Sequence, residues 1–180
     1  MTKLPELLVV ASLLAGNISG FLVDYANVLD GPMDFSCKGN SSLTQLASHH
    51  DNRAEDRVWS FGCQPSRDEV MNCVWSGYVN DFDKPVLYEC SGDEFINGFR
   101  SIHNNGPEDR RWAFQCCALR GHRRDKCHFT GYVNQYDGPL SYNVPDEQLI
   151  HGINSIHDNG SEDRIFAFEV CHFVEGGLKK

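Results

Sequence analysis

The sequence predicts an all-β protein made of three tandem, disulfide-stapled copies of one unit, related by pseudo-threefold symmetry in a trefoil-like or prism-like arrangement. Three observations support this fold class: a motif that recurs three times, short strand-like runs separated by turn residues, and an even number of cysteines, eight in 180 residues. No helical periodicity follows the first 20 residues.

The repeat is clearest in the pattern S-x-H-[DN]-N-x-x-E-D-R, which begins at Ser48, Ser101 and Ser155. In each copy an aromatic residue lies two positions after the arginine, and a phenylalanine lies two positions further on. A second signature, Tyr-x-Asn followed by Asp and Pro, precedes each copy. It begins at Tyr25, Tyr78 and Tyr132. Self-similarity at one period indicates that a single supersecondary unit is used three times.

The first 20 residues are interpreted as a signal peptide, because Lys3 precedes an apolar run over residues 7–14 and small residues follow. The alternative is a core strand or helix. The run is too short to span a bilayer, so no membrane insertion is expected. The remainder is predicted to be one domain over 21–175, with repeats at about 21–67, 73–119 and 127–173 and a tail at 176–180. Secretion to the extracellular space or matrix suits the cysteine count.

Each unit contains about four strand-like runs. In the second copy these runs are 74–79, 86–90, 94–102 and 111–118. Turn-forming residues separate them, for example Asp83-Lys84-Pro85. In the last run Trp112, Phe114 and Cys116 occupy alternate positions, a period of two that places the aromatic side chains on one face of a strand.

Equivalent positions in the repeats suggest how the cysteines pair. Two copies contain an inner pair of cysteines, and the third has valine at both positions, so the two positions are predicted to be bonded. The predicted inner pairs are Cys37–Cys63 and Cys90–Cys116, with Val144 and Val170 in the third copy. The predicted outer pairs, absent together from the first copy, are Cys73–Cys117 and Cys127–Cys171. Pairing of outer cysteines between copies, for instance Cys73 with Cys127, is the alternative.

We expect no catalytic residues, no metal ligands and no cofactor. Ser101 and His103 lie two positions apart, but no nucleophile elbow accompanies them. The chain has no Cys-x-x-Cys pair and no EF-hand spacing, although His, Asp, Asn and Glu are residue types that bind ions. The net charge of −9 disfavours nucleic acid and anionic lipid as partners.

The Asp-Arg pair of each copy has a structural interpretation. Each arginine is expected to form a buried or half-buried bidentate pair with a carboxylate, while the aromatic residues that follow fill the core. The residues of this motif are Asp56, Arg57, Trp59, Asp109, Arg110, Trp112, Asp163, Arg164 and Phe166.

The polar turn between two strands of each copy is the candidate ligand site. It is expected to be exposed, and its imidazole and amide groups suit sugar hydroxyls or sulfated glycans. Three copies would add avidity. The candidate residues are His50, Asn52, His103, Asn105, His157 and Asn159. The alternative is that these turns only stabilise the fold. N-glycosylation is expected at Asn40 and Asn159, which begin Asn-x-Ser sequons.

The chain resembles the dermatopontin family. The resemblance rests on three D-R-x-[WF]-x-F segments and the adjacent Cys116-Cys117, and it covers roughly residues 25–173. The Y-V-N-x-[FY]-D-x-P-L signature and the S-I-H-[DN]-N turns are similar to the haemagglutinin/amebocyte aggregation-factor branch. That branch implies a secreted, non-enzymatic protein that agglutinates cells through surface glycans. Agglutination requires at least two binding sites, which either the three repeats or a homo-oligomer such as a dimer would supply. The matrix branch implies instead a structural protein that binds collagen and proteoglycan and organises fibrils.

Overall fold

The computed structural model describes residues 24–176, which form eleven β-strands and no helix. The strands are β1 (Met33–Ser36), β2 (Ser41–Asp51), β3 (Asp56–Pro65), β4 (Val70–Trp75), β5 (Val86–Glu89), β6 (Glu94–Asn104), β7 (Asp109–Leu119), β8 (His122–Phe129), β9 (Leu140–Asn143), β10 (Gln148–Asp158) and β11 (Asp163–Glu175). The all-β prediction is confirmed. The predicted signal peptide and residues 177–180 of the predicted tail lie outside the described residues. No helix suited to crossing a membrane occurs between residues 24 and 176.

Three sheets are each built around the long hairpin of one repeat. Their strand orders are β3-β2-β9, β1-β6-β7-β4 and β5-β10-β11-β8. A short strand from another repeat completes each sheet: β1 pairs with β6, β5 pairs with β10, and β9 pairs with β2. Each repeat therefore gives a strand to the next, and the third gives one back to the first. This cyclic exchange is compatible with the expected pseudo-threefold arrangement.

The predicted strand over residues 74–79 is displaced in the structure, where β4 ends at Trp75. The following residues lie beside β7 but make only isolated backbone bonds. Ser76 N–H donates to the Phe114 carbonyl and Val79 N–H to the Trp112 carbonyl, each at 2.8 Å. Such spaced contacts do not form the continuous ladder that defines a strand. The other three runs of the second repeat correspond to β5, β6 and β7.

One extra residue interrupts the register of each long hairpin at an equivalent position. These bulged residues are Thr44, Asn97 and His151. The bulged carbonyl accepts a backbone hydrogen bond from the chain that follows the exchanged short strand. Cys37 N–H donates to Asn97, Cys90 N–H to His151 and Val144 N–H to Thr44, at 3.1, 3.0 and 2.9 Å. The bulge therefore fixes where each short strand ends and where the inner cysteine position lies.

Aromatic side chains from the three repeats meet at the centre of the molecule. The rings of Trp59, Trp112 and Phe166 contact one another edge-on, with centroids 5.0–5.7 Å apart. All three side chains are buried. Edge-to-face contacts of this kind contribute about 0.5–1.5 kcal/mol each beyond their buried area. The first aromatic residue of each D-R-x-[WF]-x-F segment thus forms the core that the repeats share.

Four disulfides reinforce the sheets. They join Cys37 to Cys63, Cys90 to Cys116, Cys73 to Cys117 and Cys127 to Cys171. These are the pairs that the repeat equivalences suggest, and all eight cysteines are used. Every bridge lies within one repeat. The contacts between repeats therefore depend on non-covalent interactions: the exchanged strands, the central aromatic rings and the ion pairs of the Asp-Arg motif.

Candidate functional site

The Asp-Arg motif joins neighbouring repeats through buried ion pairs. Arg110 Nε and Nη2 donate to the two carboxylate oxygens of Asp56, in the preceding repeat, at 2.7 and 2.6 Å. Arg164 pairs with Asp109 in the same way, and Arg57 closes the ring by pairing with Asp163. All six side chains are at most 4% exposed. The aspartate and the arginine of one motif therefore bind residues of two different repeats.

Each buried aspartate also holds a turn of its own repeat. The backbone N–H of Asp83 donates to Asp109 at 2.8 Å, and Asp30 and Asp137 make the equivalent bonds to Asp56 and Asp163. These turn residues have φ angles of 59°, 61° and 58°, a left-handed conformation that aspartate tolerates better than most residues. The ion pairs are therefore connected to the turns that carry Asp30, Asp83 and Asp137.

The asparagine of the Tyr-x-Asn signature is a structural residue to which the sequence analysis assigned no role. Asn80 Nδ2 donates to the Arg110 carbonyl at 3.0 Å, and its Oδ1 accepts from Trp112 N–H at 2.8 Å. Asn27 and Asn134 make the equivalent pair of bonds. The side-chain amide replaces a backbone partner at the edge of the hairpin. Its recurrence in all three copies is the signal by which it could have been found.

The three polar turns converge at one end of the molecule. Glu55, Glu108 and Glu162, the last residues of the turns, all line one small cavity of about 20 Å³. The ion-paired aspartates and arginines line the same cavity. Each candidate asparagine lies three residues before its glutamate, so all three lie within roughly 10 Å of this cavity's lining. The three turns therefore end around one cavity.

The structure separates the histidines from the asparagines of the candidate site. The side chains of His50, His103 and His157 are buried, with 0%, 1% and 1% exposed, so the expected exposure of the whole turn is wrong for them. Each is the penultimate residue of the strand that enters its turn, and its ring lies near carboxylates of two repeats. Asn52, Asn105 and Asn159 are exposed.

Side-chain hydrogen bonds fix the shape of each turn. Asp51 accepts from Arg53 N–H at 2.9 Å, Asn104 from Gly106 N–H at 2.8 Å, and Asp158 from Ser161 N–H at 2.9 Å. These backbone donors hold the pKa values of Asp51 and Asp158 below the ordinary aspartate value. The turns thus present the exposed asparagines on a defined backbone.

The two sequon asparagines, Asn40 and Asn159, are both exposed. The side chain of Asn40 also bridges two segments, because Nδ2 donates to the Ser66 carbonyl at 3.1 Å and Oδ1 accepts from Val70 N–H at 2.7 Å. Asn159 belongs to the third turn. Glycosylation at these positions stays a prediction, and a glycan on Asn159 would cover part of the turn surface.

The chain matches a family model described as dermatopontin over residues 27–175. It is 42% identical over 149 residues to the hemagglutinin/amebocyte aggregation factor of Limulus polyphemus, covering 82% of this chain and 86% of that protein. It is 39% identical over 147 residues to a dermatopontin of Biomphalaria glabrata, covering 82% and 99%. It is 34% identical over 145 residues to Millepora cytotoxin-1 of Millepora dichotoma, covering 81% and 65%. No solved structure matches the chain.

Proposed function

Because the chain belongs to the dermatopontin family, we propose that it is a secreted, non-enzymatic protein that binds carbohydrate on cell surfaces and promotes agglutination or adhesion. The relative from Limulus polyphemus is named for agglutination and cell aggregation. The observation that supports the proposal for this chain is that three equivalent turns, each with an exposed asparagine, end around one cavity.

Exposed asparagine side chains suit hydroxyl-rich ligands. Each amide offers two donors and one acceptor oxygen, which matches the mixed donors and acceptors of a sugar. Asn52, Asn105 and Asn159 are exposed on turns whose backbones are fixed by local hydrogen bonds and by the ion pairs beneath them. Little conformational entropy is then lost on binding. In this proposal the asparagines contact the glycan, and the buried histidines support the turns.

The convergence of the turns has a consequence for agglutination. Three weak contacts on one surface increase avidity for a clustered glycan on one cell. A single surface does not bridge two cells, however. We therefore propose that agglutination requires at least two copies of the chain, joined so that their turn surfaces face apart.

A matrix function is the second candidate, and one observation favours it. Tyr25, Tyr78 and Tyr132 are exposed at equivalent positions in the three repeats, with 47%, 40% and 46% of their surface accessible. Exposed tyrosines are enriched where proteins bind other proteins. Collagen and proteoglycan core protein are partners that such a surface suits, and the relative from Biomphalaria glabrata is named as a dermatopontin.

Two assays separate these functions. The proposal predicts that the secreted chain agglutinates red cells, that a glycan array identifies a binder, and that the free glycan inhibits agglutination. A matrix protein would accelerate collagen fibril formation, measured by turbidity, and would be insensitive to free sugars. A glycan array without a binder, together with accelerated fibril formation, would contradict the carbohydrate function.

Variants in the turns test the site itself. Changing Asn52, Asn105 and Asn159 together to alanine is expected to abolish agglutination while the thermal midpoint stays within a degree or so, because exposed substitutions away from structural contacts change stability little. The matched control is Asn143→Ala, an exposed asparagine on β9 outside the turns. If agglutination survives the triple change, or if stability falls in step with it, the turns are structural and the ligand binds elsewhere.

A further inference from the structure

A buried histidine lies among carboxylates where the first repeat meets the second. His103 Nδ1 is 3.6 Å from Asp30 Oδ1, and its Nε2 is 3.9 Å from Asp56 Oδ1 and 3.8 Å from Glu108 Oε2. The imidazole is 1% exposed, and neither ring nitrogen forms a hydrogen bond with the described residues. Two of these carboxylates come from the first repeat, whereas the histidine and the glutamate come from the second.

The same cluster recurs where the second repeat meets the third. His157 Nδ1 is 3.6 Å from Asp83 Oδ1, and its Nε2 is 4.0 Å from Asp109 Oδ1 and 3.8 Å from Glu162 Oε2. Here too the imidazole is 1% exposed, and both ring nitrogens lack a hydrogen-bond partner among residues 24–176.

The remaining junction is different. His50 Nε2 is hydrogen-bonded to Glu55 Oε2 at 3.3 Å, and its Nδ1 lies 3.3 Å from Asp163 Oδ1. Within the described part of the chain, the histidine and the two aspartates bring their ligand atoms within 4.8 Å of one another only at the first two junctions.

We propose that these two junctions, Asp30–Asp56–His103 and Asp83–Asp109–His157, are sites for a divalent cation that accepts mixed nitrogen and oxygen ligands. Burying an unpaired imidazole costs free energy unless a partner is supplied. Three carboxylates surround His103, and Arg110 neutralises one of them, so two negative charges remain beside a nitrogen lone pair. One divalent cation balances that charge and uses that lone pair.

The ligand types, one imidazole nitrogen and carboxylate oxygens, favour zinc. Two ligands of a tetrahedral zinc ion, each about 2.0–2.2 Å from the metal, lie about 3.4 Å apart. In each cluster one ligand atom of the histidine and one of each aspartate lie within 4.8 Å of one another. Side-chain rotation must therefore shorten these separations by up to about 1.4 Å to reach the zinc value, and the partly exposed side chains of Asp30 and Asp83 have room to move. Calcium is disfavoured because it takes six to eight oxygen ligands. No thiolate competes for the metal, since all eight cysteines are in disulfides.

Asp30 and Asp83 make the sites accessible. Their side chains are 41% and 33% exposed, so the cation can enter without unfolding of the junction and can exchange with a chelator. A bound cation would connect two neighbouring repeats. The disulfides make no such connection, because each lies within a single repeat. Binding to the folded state alone would then raise stability.

The experiment uses the full, oxidised chain, dialysed against zinc chloride and then against metal-free buffer, with zinc counted by mass spectrometry. About two zinc ions per chain are expected. Asp30→Asn and Asp83→Asn should each remove one ion, and the double variant should retain none and lose the rise in Tm that zinc gives the wild type. Asparagine preserves size, and the backbone N–H at each position still donates to Asp56 or Asp109.

Two controls match these variants. Asp34→Asn changes an exposed aspartate that pairs with Arg100, and Asp137→Asn changes the equivalent residue of the third junction. Both should retain two zinc ions. Less than one zinc ion per wild-type chain, or an unchanged zinc content in the Asp30→Asn/Asp83→Asn double variant, would overturn the proposal. Loss of zinc from Asp137→Asn equal to that from Asp30→Asn would overturn the assignment to the first two junctions.

Discussion

At the scale of single residues, the aspartate of the Asp-Arg motif connects the arginine of the next repeat to a turn of its own repeat. Asp109 accepts two hydrogen bonds from Arg164, at 2.6 and 2.7 Å, and a third from the backbone of Asp83 at 2.8 Å. A carboxylate that is 1% exposed needs such partners, since burial of an uncompensated charge is expensive. Loss of either partner is therefore expected to destabilise the fold strongly, whereas the intact ion pair adds little to the free energy of unfolding.

The prediction at this scale concerns one partner of a pair. Arg110→Ala leaves Asp56 buried without its cation, and the free energy of unfolding in urea should fall by about 3–5 kcal/mol. Arg120→Ala removes an ion pair with one short contact, 2.6 Å from Arg120 Nε to Glu69 Oε2, in which both side chains are more than half exposed. That control should leave the urea midpoint unchanged. Equal losses in the two variants would contradict the role assigned to burial.

At the scale of elements, each repeat combines a bulged hairpin with a short strand of another repeat and adds disulfides in different numbers. The first repeat has one inner bridge, the second has an inner and an outer bridge, and the third has one outer bridge. Where the third repeat lacks the inner bridge, Val144 and Val170 are buried at the positions that correspond to Cys90 and Cys116. The sheet therefore forms around either a disulfide or an apolar pair at this position.

The corresponding prediction compares two ways of removing the bridge between Cys90 and Cys116. Loss of the bridge should cost about 2–4 kcal/mol in either case. The Cys90→Val/Cys116→Val variant should be more stable than Cys90→Ser/Cys116→Ser by about 1–3 kcal/mol, because serine would bury unpaired hydroxyls. Urea denaturation measures the difference, with mass spectrometry to verify the remaining bridges. Serine and valine variants of equal stability would show that the third repeat's valines are not a substitute for the bridge.

At the scale of the whole molecule, the repeats form a closed cycle of exchanged strands and ion pairs. β9 of the third repeat completes the sheet of the first, and Asp163 of the third repeat pairs with Arg57 of the first. A linear array of repeats loses only one interface when its last repeat is removed. In a closed cycle, removal of one repeat breaks its interfaces with both neighbouring repeats.

Deletion of residues 127–180 should therefore abolish cooperative unfolding. The truncated chain would lose the ion-pair partners of Arg57 and Asp109, and Trp59 and Trp112 would lose their contacts with Phe166 and become accessible to water. A core opened to this extent is not offset in a protein whose typical total stability is about 5–15 kcal/mol. Urea titration followed by near-ultraviolet circular dichroism is the measurement. Deletion of residues 177–180 alone is the control and should leave the transition intact. A cooperative transition in the longer truncation would show that the repeats are independent.

Features that are local, or that recur along the chain, could be predicted before the fold was known. Turn residues and period-two patterns indicated the strands, with one error at residues 74–79, where isolated backbone bonds replace a ladder. The repeats indicated which cysteine positions appear and disappear together. The residue types alone also indicated that the aspartates and arginines of the motif form ion pairs.

The repeat that supplies each ion-pair partner could not be predicted from the sequence. The three copies carry nearly the same motif, so the sequence offers three equivalent arginines as partners of Asp56. Arg57, its own neighbour, is the nearest of them in sequence. The strands place that neighbour against another repeat, and Arg110 is the partner instead. For the same reason His103 was expected in an exposed turn and lies buried among carboxylates of two repeats. Such contacts depend on how the three repeats pack around a common axis, and no local sequence pattern predicts that packing.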